Sequence, residues 1–154
     1  MRRTLFIALL SMVSSICIAQ FNINGLKPGM TVATFKKAAV NAGFVKTDMK
    51  SPGTDVVFFE GNFRGEKVKM AASPSNDTIK TFGVYVNVKT FDQAIDIYEK
   101  WSMHAIEEYK NVERYVAPDA PEINLYDKKT STALCVQMIK DGETYRVLYS
   151  IAGK

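Results

Sequence analysis

TSTALCVQMIKDGETYRVLYSI, residues 130–151, decides the fold. Apolar side chains recur at every second position on both sides of Asp141-Gly142, and a period of two marks a β-strand with one buried face. Asp-Gly between two such runs is a strong hairpin signal, because tight two-residue turns need backbone with positive φ. With Asp141-Gly142 at the centre of the turn, Met138 pairs with Tyr145, Val136 with Val147 and Leu134 with Tyr149, all on one face. The other face carries Gln137, Arg146, Thr132 and Ser150 with Cys135 and Leu148, a mixture that suits contact with water. An antiparallel sheet covered by helices on one side alternates in this way.

Working outward, the same alternation, punctuated by turn residues, predicts strands over 54–63, 66–73, 78–88 and 122–127 besides 130–140 and 143–151. In 78–88, Phe82, Val84, Val86 and Val88 take one face, which leaves Tyr85 and Asn87 on the other. Two stretches carry helical spacing instead. Thr31 caps the first, Met30 and Phe35 form its hydrophobic staple, and Gly43-Phe44 ends it. The glycines of residues 25–44 do not make a phosphate loop, since no Gly-Lys-Ser/Thr follows at the required spacing. Thr90-Phe91-Asp92-Gln93 is a capping box for the second helix, whose apolar stripe is Phe91, Ala94, Ile95, Tyr98, Trp101, Ala105 and Tyr109.

In order, the elements read helix and three strands, twice. The expected fold class is α+β, a tandem αβββαβββ chain with an antiparallel six-stranded sheet and two helices packed on one face. Residues 110–121, with Pro118 and Pro121, read as a crossover within a single domain over 20–154.

Residues 1–19 read as a secretory signal peptide: Arg2 and Arg3, an apolar run from Leu5 to Ile16, then small residues before Gln20. The expected cleavage is after Ala19. The run is shorter than the roughly 20 residues of a spanning helix, so no transmembrane anchor is expected. Cys17 follows Ile16 where a lipidated cysteine prefers a small residue, which favours cleavage after Ala19 and a free Gln20, with a lipid anchor on Cys17 as the alternative. A periplasmic or secreted protein follows. The full chain carries a net charge of +4, and losing Arg2 and Arg3 brings that to 18 basic against 16 acidic side chains. With acids interspersed among the lysines, this excludes the concentrated basic face of a nucleic-acid binder. Cys135 is the one cysteine beyond the leader, so the fold rests on its core and not on a disulfide.

Candidate chemistry is sparse. His104, the lone histidine, has Lys100 and Glu108 one helical turn away on either side, a surface ion-pairing arrangement. Cys135 lies within a strand without a histidine near it in sequence, and no His/Cys set has metal-ligand spacing. Asn76-Asp77-Thr78 matches a glycosylation acceptor but reads as the turn between strands. These features imply no catalytic residue, no metal and no cofactor. The function expected is a non-catalytic binding or assembly module contacting a protein, peptide or envelope component; the alternative is a hydrolase of unrecognised type centred on Cys135 or His104. Tyr85, Asn87 and Arg146, on the open sheet face, are the candidate binding residues. The aromatics Tyr85, Tyr126 and Phe59 and the loops 61–65 and 117–121 are further candidates for contact. The oligomeric state is left open.

Leu26-Lys27-Pro28-Gly29-Met30-Thr31 with Phe35 and Ala42-Gly43-Phe44, then Phe59-Glu60-Gly61-Asn62-Phe63-Arg64-Gly65, then Ile79 to Val88 with Tyr98 and Tyr109, resemble a family of small exported proteins of Gram-negative gut bacteria without an assigned function. The Gly-Met-Thr helix opening is also similar to that of envelope lipoproteins of the outer-membrane assembly and β-lactamase-inhibitor types. The resemblance implies helices laid on antiparallel sheet and a binding role without catalysis.

Overall fold

Among the described residues, two helices and eight strands run in chain order: α1 (Val32–Asn41), β1 (Val45–Lys46), β2 (Val57–Phe63), β3 (Glu66–Ser75), β4 (Thr78–Val88), α2 (Phe91–Glu108), β5 (Glu113–Val116), β6 (Glu122–Asp127), β7 (Thr132–Asp141) and β8 (Thr144–Gly153). The computed structural model describes residues 20–153, so the leader expected over 1–19, its cleavage site and Cys17 lie outside the described residues. Among the described residues, no helix is long and apolar enough to cross a membrane.

Both helices start and stop where local chemistry satisfies their ends. Thr31 Oγ1 accepts from Thr34 N–H at 3.2 Å, and Thr90 Oγ1 from Gln93 N–H at 3.3 Å. At the end of α1, Phe44 N–H donates to Ala39 O and Gly43 N–H to Val40 O, the paired bonds of a glycine-terminated helix.

The strands form one antiparallel sheet in the order β1-β2-β3-β4-β8-β7-β6-β5. This corrects the expected six-stranded αβββαβββ arrangement: the chain is αββββαββββ. The two additional strands are the sheet's edges. β1 has two residues and β5 four, all of them exposed, so neither leaves an alternating pattern in the sequence. β5 lies inside the stretch read as a crossover. Short edges also limit pairing with other chains. Each half of the chain contributes one helix and four strands, and the last strands of the halves, β4 and β8, pair at the centre of the sheet.

One sheet face holds the core. Phe35 of α1 lies edge-on to Phe82 of β4 at 5.1 Å and near Phe59 of β2 at 6.3 Å; Trp101 of α2 lies 5.2 Å from Phe63 of β2 and 6.3 Å from Tyr149 of β8. Each such side chain contributes about 1.5–3 kcal/mol on burial. Phe59, counted from sequence among exposed aromatics, is part of this core. The buried residues of α2 are Ala94, Ile97, Trp101, Ser102 and Ala105. Phe91, at the start of the expected stripe, is 50% exposed. The first turn of α2 runs off the sheet's core and leaves Phe91 against Tyr145 at 5.8 Å.

The terminal hairpin keeps its faces but not its expected register. Met138 opposes Val147, Val136 opposes Tyr149 and Leu134 opposes Ile151. The turn residues are Gly142-Glu143, with Asp141 opposite Thr144 and Gly142 at φ 62°. A glycine with positive φ at the first of two turn positions is the type II′ arrangement, whereas the Asp-Gly reading places glycine second. The shift is two residues, so period-two faces survive it. Thr132 is the exception among the assignments. It shares the parity of Leu134 and is buried on the core face.

Candidate functional site

Strand alternation places the complementary set of side chains on the uncovered face. From β2 it receives Phe58, Glu60 and Asn62; from β3, Lys67, Lys69 and Ala71; from β4, Gly83, Tyr85 and Asn87. From β8 it receives Arg146, Leu148 and Ser150, from β7 Cys135 and Gln137, and from β6 Glu122, Asn124 and Tyr126.

Tyr85, Asn87 and Arg146, named from sequence, come together here. Asn87 directly opposes Arg146, and Tyr85 opposes Leu148. Arg146 Nε donates to Asn87 Oδ1 at 3.0 Å, and its Nη2 donates to Asp141 Oδ2 at 2.7 Å. The guanidinium carbon sits 5.1 Å from the centroid of the Tyr85 ring. One arginine thus has three side-chain partners and links Asn87, Asp141 and Tyr85. Asp141 is the member that sequence reasoning missed, because it read as a turn residue only.

Beside this cluster, on the β3 side of Tyr85, a depression of about 320 Å³ is lined by Glu60, Lys67, Val68, Lys69, Tyr85, Val86 and Asn87. Glu60 opposes Lys69, which opposes Tyr85, so one row crosses three strands. Neither lysine forms an ion pair among the described residues. The alternation in 66–73 contained Lys67 and Lys69, but nothing in it tied them to Tyr85.

The neighbouring row has a different character: Phe58, Ala71, Gly83, Ser150, Cys135, Asn124 and Tyr115 follow one another across seven strands, small in the middle and aromatic at both ends. A Cβ on Gly83 would stand 2.8 Å from Tyr149 O and 2.9 Å from Ser150 Cβ. Directly opposed Cβ atoms are ordinarily about 4.5–5.5 Å apart. The β4–β8 seam is thus drawn together on the open side.

Cys135 is half-buried on this floor, and burial, followed by the Glu122 carboxylate, pushes its thiol up to about 11. It is a protonated, weakly nucleophilic thiol at neutral pH. His104 is on the exposed side of α2, which covers the opposite face of the sheet, so the sheet separates it from Cys135. Its expected neighbours are engaged with the β2–β3 turn: Arg64 Nη2 donates to Glu108 Oε2 at 2.7 Å and Lys100 Nζ to Glu66 Oε1 at 3.5 Å. That turn, read as a contact loop, is held against α2. The 117–121 loop is tied to the sheet, with Ala117 N–H on Glu122 O and Met138 N–H on Pro121 O. Asn76 and Asp77 form the β3–β4 turn at φ 50° and 59°. Among the described residues, no three His, Cys, Asp or Glu side chains gather as a metal set.

Comparison with protein-family models, with curated proteins and with solved structures returns no match for this chain. The functional reading therefore rests on the chain's own geometry.

Proposed function

We propose that this chain is a non-catalytic binding module that contacts a protein, peptide or envelope component through its open sheet face, as an exported protein cleaved after Ala19. The carrying observation is the Asp141–Arg146–Asn87–Tyr85 cluster. Four polar side chains meet in one hydrogen-bonded and ring-stacked cluster on a face that no element among the described residues covers. Restraining side chains before contact lowers the entropy lost on binding. The hydrolase alternative lacks a comparable support, since Cys135 carries a raised pKa and has no histidine on its side of the sheet.

Immobilised chain incubated with envelope extract is expected to capture a component, and Tyr85→Ala with Arg146→Ala to release it, while Lys37→Ala on the exposed side of α1 leaves capture intact. Capture unchanged in the Tyr85→Ala/Arg146→Ala double variant would remove the open face as the site. A hydrolytic activity lost in Cys135→Ser or His104→Ala would overturn the non-catalytic reading.

A further inference from the structure

The depression beside Tyr85 has a donor inventory that selects a ligand. Lys67 and Lys69 bring ammonium groups with no partner among the described residues, and Tyr85 brings a phenol. Asn87 brings an amide whose orientation is set: Arg146 Nε takes its Oδ1, so its Nδ2 hydrogens remain for another acceptor. The charge of Arg146 is matched by Asp141. What remains is a group of donors facing a single carboxylate, Glu60, across about 320 Å³. That volume lies at the small-ligand end of the range of about 300–1,000 Å³ for binding pockets.

We propose that this depression is a subsite for a hydroxylated carboxylate of monosaccharide size, a uronic acid residue being the fitting chemistry. The proposal rests on the binding reading of the open face and names what one end of that face takes. The ligand carboxylate meets Lys67 and Lys69, where charge-assisted hydrogen bonds are strongest. Ring hydroxyls accept from Asn87 Nδ2 and donate to Glu60, and the pyranose packs on the part of the Tyr85 ring that Arg146 leaves free. Glu60 has a second effect. Its carboxylate offsets one of the two ammonium charges, so one positive charge is left to be matched, and it accepts a hydrogen bond from a ligand hydroxyl. The requirement is therefore for one negative charge and several hydroxyls together.

The test uses the purified chain, with galacturonate as the probe and galactose, acetate and inorganic phosphate as comparisons, read by amide NMR shifts of Lys67, Lys69, Tyr85 and Asn87. Galacturonate is expected to saturate these shifts, with galactose and acetate each binding about tenfold more weakly or less. Lys67→Gln/Lys69→Gln is expected to abolish the galacturonate response at an unchanged melting temperature, and Asn87→Leu to weaken it. An equal response to acetate would reduce the site to an anion patch, an equal response to galactose would remove the role of the lysines, and a tighter response to phosphate would contradict the role of Glu60; each overturns the proposal. A wild-type chain that captures its envelope component yet ignores galacturonate keeps the binding reading and sinks this one.

Discussion

The two faces of the sheet are built from the same strands, residue by residue in alternation, yet they follow different rules. On the helix side Phe35, Phe59, Phe82, Trp101 and Tyr149 are each 1% exposed or less, and their rings meet at 5.1 to 6.3 Å. On the open side order comes from polar restraint, as at Arg146, and from close backbone approach, as at Gly83. Apolar packing is therefore concentrated on one side and polar, hydrogen-bonding side chains on the other.

The sharpest way to break this contrast lies on β7, where adjacent residues serve opposite faces. Val136→Asp buries an unpaired carboxylate and is expected to lower unfolding free energy by about 4 kcal/mol or more, leaving little folded protein in a urea titration. Gln137→Asp should change it by no more than about 1 kcal/mol, mostly through repulsion with Glu122 opposite. Equal losses for the two would erase the assignment of faces. Phe35→Ala removes the ring that joins α1 to β2 and β4, with an expected cost of about 3–5 kcal/mol in the same titration.

Gly83→Val is the open-face substitution expected to behave like a core one. Its Cβ meets backbone at β8 and not a yielding side-chain tip, so the strands must part, at a cost of about 1–3 kcal/mol. A neutral Gly83→Val would show that the seam is not drawn together. The effect confined to alkaline pH is the titration of Cys135. Because burial raises its pKa from the ordinary 9.0 to about 11, the unfolded thiol ionises first as pH rises. The contribution is fully present below pH 9 and declines as pH climbs toward 11. Alkylation by iodoacetamide should likewise stay slow at pH 8 and accelerate above it, and fast labelling of the folded chain at pH 8 would contradict the burial.

How much of this was legible follows from what period-two patterning records. It gave six strands and their faces because one side of each is apolar, and it placed Tyr85, Asn87 and Arg146 on a common face from alternation alone. It was blind to β1 and β5, since Val45-Lys46 and Glu113 to Val116 have no buried side to betray them. It was also insensitive to a two-residue slip, which is why the Gly142-Glu143 turn was misplaced while the faces were not. Thr132 was assigned by its polarity against its parity, and parity won. Lys67 and Lys69 were visible as residues but not as neighbours of Tyr85, because the pairing of β3 with β4 is a tertiary fact that neither strand announces.

The pairing of β4 with β8 also dictates an order of events. Val88 must find Tyr145 across the whole of α2, β5, β6 and β7, and β8 is the strand against which both halves close. As the chain emerges from the ribosome, the first half can form its helix and three hairpin contacts, but β4 keeps an open edge until residues 144–153 arrive. Long-range closure of this kind slows folding, since the entropy of the intervening loop is lost before the contacts repay it. The chain consequently stays unlocked through most of its synthesis, and β8, the last strand made, is the one that closes it.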